Sequence, residues 1–195
     1  MSRSATIFVI RHGAAADNEP NSPLTAKGME QAGQLADFFS RRTDIQIDRL
    51  IASPYMRATQ TTAVFAERFN QRFCTDKRLK ERDLGDYPAD NVKLWEELKK
   101  HFANMDLKFP NGESNRDVSQ RVTDLVEELL QSDQQTFAII THRLTMMVLL
   151  NHYDPNFGFE QGLAITNPDI YALSIANRNV EVKRIWDASV DTLHA

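Results

Sequence analysis

Three short segments of this chain carry residue types suited to moving a phosphoryl group. Each is an apolar run that ends abruptly in polar residues. Thr6 to Ile10 runs into Arg11-His12-Gly13, and Asp48 to Ala52 runs into Ser53-Pro54, with Arg57 just inside a following helix. Thr136 to Ile140 runs into Thr141-His142-Arg143. A neutral imidazole is a competent nucleophile. Guanidinium forks match phosphate oxygens, and a helix N-terminus adds backbone N–H donors. If the three runs are parallel strands, two imidazoles and two or three guanidiniums meet in one crevice, which suits a phosphate dianion.

The other histidines read differently. His101, His152 and His194 lie outside any such strand end and are expected to be surface or satisfied core residues. No histidine has a nearby Cys or acidic partner at ligand spacing, so no metal site is expected.

The elements needed to position these groups are legible in the periodicity. Thr25 offers an N-cap, and Ala32, Leu35, Ala36 and Phe39 follow at helical spacing, which predicts a helix over 26–42. Ser53-Pro54 predicts the start of a second helix, running to about Phe69, with the serine hydroxyl as its cap. Phe73 to Thr75 reads as a short third strand.

Residues 84–112 hold Gly85, Pro88, Pro110 and Gly112 around a helix near 90–103. They read as an excursion off the sheet that covers a binding site. Within it Tyr87, Trp95 and Phe102, together with Arg143, either line that site or serve packing. From Glu113 onward, Val118, Val122, Leu125, Val126, Leu129 and Leu130 fall on one helical face. Residues 144–150 continue as an apolar helix that Thr141 could cap. Tyr171 to Ala176 and Val180 to Trp186 read as two strands joined by a turn at Asn177 to Asn179. Strands alternating with helices predict an α/β fold: a three-layer α/β/α sandwich, mostly parallel, with helices on both faces. In such sheets ligands bind at the carboxyl ends of the strands.

Composition sets the boundaries. The 195 residues suit one domain over 1–195. The net charge of -4 argues against general nucleic-acid binding, so cations for an anionic ligand must be gathered locally. The one cysteine, Cys74, is expected to be a buried or semi-buried thiol. No apolar run reaches the length of a signal-peptide core or a membrane span, which points to a cytoplasmic protein with no membrane partner. A homodimer is compatible with all of this.

With these residues in order, the chain resembles the histidine phosphatase, or phosphoglycerate mutase-like, superfamily. Arg11-His12-Gly13 resembles its signature, and Leu24-Thr25 with Gly28 and Gln31-Ala32 its first-helix motif. Ser53-Pro54, Arg57-Ala58 and Gln60-Thr61 resemble its second motif. Leu79, Glu81 and Gly85 resemble its acid segment, and Gly112-Glu113-Ser114 and Thr141-His142 the last two.

The resemblance implies that His12 forms a phosphohistidine. It implies that Arg11, Arg57 and His142 surround the phosphoryl group, that Asn18 contacts it, and that Glu81 serves as acid and then base, with Asp83 the rival acid. It implies no cofactor and no metal. The substrate would be a small phosphorylated metabolite and the reaction hydrolysis. The alternatives are a cofactor-dependent phosphoglycerate mutase and a catalytically weak phospho-ligand binder; the short excursion at 84–112 favours hydrolysis over the mutase.

Three positions depart from the family pattern. Ala14 and Ala15 replace a polar pair, and Arg143 replaces a glycine after the second histidine. Arg143 would present its N–H to phosphate while its side chain narrows the pocket or binds a second anionic group.

Overall fold

The computed structural model describes residues 4–176 and 179–187. Six strands form one sheet: β1 Ser4–Arg11, β2 Arg49–Ala52, β3 Phe73–Thr75, β4 Thr136–Thr141, β5 Asp169–Ala176 and β6 Asn179–Arg184. Their order is β3-β2-β4-β1-β5-β6. The first four are mutually parallel, whereas β5 pairs antiparallel with β1 and β6 antiparallel with β5.

Side-chain alternation explains the three layers. In β1, Ile7 and Val9 enter one core cluster while Phe8 and Ile10 enter the other. In β4, Phe137 and Ile139 face the first cluster and Ala138 and Ile140 the second. A strand buried on both faces reads as a continuous apolar run. The first face is covered by α3 Asn91–Ala103, α4 Asn115–Gln131 and α5 Arg143–Tyr153. The second is covered by α1 Ala26–Ser40 and α2 Met56–Arg68. A short helix, α6 Phe159–Leu163, follows α5. Among the described residues no helix is long and apolar enough to cross a membrane.

Local capping matches the sequence in several places. The Thr25 hydroxyl accepts from Gly28 N, Asp90 caps α3, and Ser114 and Asp117 form a reciprocal box at α4. Two expected caps are corrected. Tyr55, not Ser53, occupies the N-cap of α2, and it makes no side-chain cap bond. The Ser53 hydroxyl instead bonds the His142 ring. Likewise His142, not Thr141, is the N-cap of α5, and Thr141 Oγ1 donates to the Leu79 carbonyl. In both cases a hydroxyl beside the strand ends is recruited across the sheet. Cys74 is exposed rather than buried, because β3 is an edge strand with a neighbour on one side only. The expected turn at Asn177 to Asn179 lies partly outside the described residues, as does all of the environment of His194.

The loop after β1 is pressed against the start of α1. Ala14 and Thr25 exchange backbone contact through Thr25 N and Ala14 O at 3.0 Å, and Ala15 bridges Leu24. A Cβ on Gly28 would lie 2.0 Å from the Ala14 carbonyl oxygen, and one on Gly13 would lie 2.4 Å from that of Gly28. Gly33, on the same helix, has open space around it. Gly28→Ala should therefore cost about 2 kcal/mol or more through overpacking. Gly33→Ala should instead stabilise by up to about 1 kcal/mol, because alanine is the better helix former. Thermal melts of the two variants should move in opposite directions; shifts of the same sign would contradict the packing described.

Candidate active site

Strand register brings the two histidines together. Arg11 on β1 pairs with Thr141 on β4, so the next residues, His12 and His142, leave the sheet at the same level. Their rings lie 4.9 Å apart, edge to face. Ala52 on β2 pairs with Ile140, which sets Ser53 beside His142. Ser53 Oγ and His142 Nε2 are 2.7 Å apart. Tyr55 packs its ring 5.0 Å from that of His142, and Arg57 lies over the Tyr55 ring.

The His12 ring is held in one tautomer. Its Nδ1 lies 2.6 Å from the Gly13 carbonyl oxygen, which can only accept, so Nδ1 carries the proton. Its Nε2 accepts from Arg57 Nε at 3.1 Å. The nitrogen facing the guanidinium therefore holds a lone pair. Burial, opposed by the Gly13 bond and reinforced by the charges of Arg57 and Arg11, pushes His12 down to about 3. His142 is fully buried and is held well below the usual histidine range, first by burial and then by His12, Arg57 and Arg11. Its Nδ1 is buried with no hydrogen-bond partner among the described residues.

Arg57 is 2% exposed and spans two structures. Its Nε reaches His12, and its Nη1 donates to the carbonyls of Asn18 and Glu19. Asn18 thus meets the site through its main chain. Arg11 turns towards the segment before β5: its Nη1 donates to the carbonyls of Ile165 and Thr166. Burial, aided by the charge of Arg143, pushes Arg11 down to about 9, which leaves it cationic at neutral pH. Asn167 Nδ2 donates to the His12 carbonyl at 2.7 Å. Arg143 Nη2 also reaches the Ile165 carbonyl, and its guanidinium lies 5.8 Å from the Trp95 ring centre.

Glu81 occupies the start of α5. Its carboxylate accepts from Leu144 N at 3.2 Å, from Thr145 N at 2.9 Å and from the Thr145 hydroxyl. A carboxylate at a helix N-terminus satisfies orphan N–H groups and the helix dipole together. The sequence suggested that such groups would meet phosphate; here two of them are already engaged. Next to Glu81, the buried Arg82 donates to the Glu113 carbonyl and to Asn115 Oδ1, and its Nη2 lies 2.9 Å from His101 Nδ1. His101 is thus a satisfied core histidine, lowered by burial and by Arg82. Asp83 is exposed, and its Oδ1 accepts from Gly85 N.

Supporting amides complete the loop: Gly13 N donates to Thr61 Oγ1, Ala14 N to Gln31 Oε1 and Leu24 N to Gln60 Oε1. His12, Arg57, His142, Arg11, Arg143 and Glu81 are thus gathered at the carboxyl ends of the parallel strands. Trp95 reaches Arg143, whereas Phe102 packs on Phe159 and Tyr87 is exposed. Sequence reasoning missed Tyr55 and Asn167. Their only signals were adjacency to Ser53-Pro54 and an Asn-Pro turn dipeptide. A cavity of about 310 Å³ lined by Ser119, Asn151 and His152 lies at the other end of α5 and shares no residue with this cluster. Among the described residues no three His, Cys, Asp or Glu side chains are placed to hold a metal ion.

Comparisons with known proteins agree with the geometry. Residues 7–188 match the pattern of the Histidine phosphatase superfamily (branch 1). A protein of Escherichia coli O1:K1 / APEC named as the phosphoglycerate mutase GpmB is 28% identical over 134 residues, 62% of this chain. That match spans 61% of the relative's own length. A protein of Hydrogenobacter thermophilus named as phosphoserine phosphatase 2 is 26% identical over 74% of this chain and 76% of its own. The fold is shared with a mycobacterial glucosyl-3-phosphoglycerate phosphatase, at a TM-score of 0.72 and 20% identity over 94% of this chain and 98% of that one. It is shared too with a phosphoglycerate mutase from Bacillus anthracis, at a TM-score of 0.75 and 20% identity over 96% and 95%. The chain belongs to the histidine phosphatase superfamily, branch 1.

Proposed function

We propose that this protein is a metal-independent phosphatase that hydrolyses small phosphomonoesters through a phosphohistidine on His12. The observation that carries the reading is the state of the His12 ring: Nδ1 fixed on the Gly13 carbonyl and Nε2 unprotonated against Arg57. In this reading Nε2 attacks phosphorus as the ester oxygen departs, and Glu81 gives that oxygen its proton. Water then attacks the phosphohistidine, Glu81 takes the water's proton, and inorganic phosphate leaves. Arg11 and Arg57 neutralise the equatorial oxygens, the task a metal performs elsewhere, and the neutral His142 ring donates a hydrogen bond from Nδ1 while its Nε2 accepts from Ser53. Arg57 must turn from His12 to the incoming oxyanion, and the tether to Asn18 and Glu19 keeps it within reach. Glu81 supports its role by position, since the first amides of α5, the helix that begins after His142, hold its carboxylate and its charge is felt by Arg11 and Arg57.

The direct test is hydrolysis of p-nitrophenyl phosphate. It should survive EDTA and vanish in His12→Ala. Turnover that persists in the variant would overturn the reading. Isomerisation of 3-phosphoglycerate with a bisphosphoglycerate primer, with little phosphate released, would replace hydrolysis by mutase chemistry.

With the same activated aryl ester, Arg57→Ala should lower kcat by about 100-fold or more, the scale for losing one preorganised charge contact. Glu81→Gln should lower it by less than about 10-fold, because nitrophenolate leaves without a proton. Equal losses would contradict the assigned roles.

The buried imidazoles also predict a pH dependence of stability. His12 in the fold lies at about 3, below its ordinary value of 6.5. Between those values the unfolded chain binds a proton that the fold refuses. Stability is therefore complete above about pH 6.5 and declines as pH falls towards 3, by up to about 1.4 kcal/mol per pH unit per histidine. Melting temperatures from pH 7 to 4.5 should fall more steeply for the wild type than for His12→Asn; parallel curves would show that His12 is not held neutral.

A further inference from the structure

Arg143 stands where it has no counterpart in the phosphoryl cluster described above. It is the first residue of α5, directly after His142, and its side chain reaches the Ile165 carbonyl and the Trp95 ring. Its Nη2 donates to the Ile165 carbonyl at 3.2 Å. Arg11 Nη1 donates to that same oxygen at 2.9 Å. The two guanidiniums therefore lie no farther apart than those bond lengths allow. Neither forms an ion pair among the described residues, and Glu81 acts on both only at a distance.

Each guanidinium is also left half-satisfied. The Nε atoms of Arg11 and of Arg143 are buried with no hydrogen-bond partner. Buried unpaired donors on cations are costly and rare, and a pair of them side by side calls for an explanation. Packing gives none. A structural arginine of this fold behaves otherwise: Arg82, which is buried, places Nε, Nη1 and Nη2 on Glu113, Asn115 and His101. The Trp95 ring, its centre 5.8 Å from the Arg143 guanidinium, packs on it without taking any of its N–H groups, and among the described residues the one side-chain bond of Arg143 is that from Nη2 to Ile165.

Charge counting points the same way. A transferred phosphoryl dianion is matched by Arg11 and Arg57. A third guanidinium in contact with the carbonyl that holds Arg11 exceeds what one phosphate needs, and like charges so close are unfavourable unless an anion joins them.

We infer that Arg143, seated on Trp95 and beside Arg11, forms a subsite for a second anionic group on the substrate. This rests on the phosphatase reading and narrows it. The preferred esters carry a carboxylate or a second phosphate one or two carbons from the ester oxygen. A bidentate fork accepts either group, because both present two oxygens at matching spacing.

Three esters of matched size separate the possibilities: 2-hydroxyethyl phosphate, 2-phosphoglycolate, which replaces the alcohol by a carboxylate, and ethylene glycol bisphosphate, which replaces it by phosphate. For the wild type, kcat/KM should be about 10- to 100-fold higher for at least one doubly anionic ester than for 2-hydroxyethyl phosphate, the range for one charge-assisted contact. Which of the two esters gains identifies the second group. In Arg143→Gln that ratio should collapse to about one, chiefly through KM. Arg143→Lys should keep an intermediate ratio, since it keeps the charge and loses the fork.

A wild-type ratio near one for both doubly anionic esters overturns the subsite, and this outcome needs no variant to fold. A ratio retained in Arg143→Gln overturns it as well. Loss of His12-dependent p-nitrophenyl phosphate hydrolysis in the wild type would instead remove the phosphatase reading itself.

Discussion

The site is organised by one contact, the hydrogen bond from Arg57 Nε to His12 Nε2. A guanidinium can only donate, so the imidazole nitrogen opposite it must accept. That requirement fixes the protonation of the ring, and the Gly13 carbonyl on the far nitrogen closes the only alternative. Burial then makes the neutral form far more favourable than the cation. A guanidinium buried without a carboxylate partner is expensive to hold, and the carbonyls of Asn18 and Glu19 offset part of that cost. The loop that follows β1 is therefore not free to vary in shape. It must return those two carbonyls to Arg57 while its own base, at Gly13 and Ala14, is pressed on α1.

The sheet turns this local requirement into a shared one. Parallel pairing of β1, β4 and β2 means that three chain segments, far apart in sequence, end at one level. Histidine, serine and histidine then follow the last paired residues. Hydroxyls that local reasoning assigns to helix caps are drawn across the sheet, Ser53 to His142 and Thr141 to Leu79. At α5, where the threonine hydroxyl is drawn away, the Glu81 carboxylate takes the first helical amides instead.

Much of this was legible in the sequence. The helix at 26–42 appears as Ala26–Ser40, because helical spacing and a threonine cap are local signals, and the one near 90–103 appears as Asn91–Ala103 between the glycines and prolines that bound it. The doubly buried β1 and β4 were legible because a run of branched apolar residues has few other uses. The gathering of His12, His142, Arg57 and Arg11 followed from strand-end positions plus one topological rule. The rest required three dimensions. That Glu81 would sit on α5 depends on contacts across sequence separations of 63 and 64. That Ile165 would offer one carbonyl to two arginines, and Asn167 an amide to His12, has no periodicity at all. The exposure of Cys74 turned on β3 being an edge, which strand order decides and composition does not.

The antiparallel addition of β5 and β6 has a bearing on dynamics. Without β5, the strand that ends in Arg11 would be the rim of the sheet; with it, β1 is hydrogen-bonded along both sides. Backbone amides in core strands lie towards the most protected end of the range of local openings. His12 thereby follows directly on a strand that is paired on both sides. Trp95, under Arg143, belongs to α3, which lies outside the sheet and packs on it through Leu94 and Leu98. The histidine cluster and the ring under Arg143 thus rest on different supports, the one on strands locked within the sheet and the other on a helix laid over it.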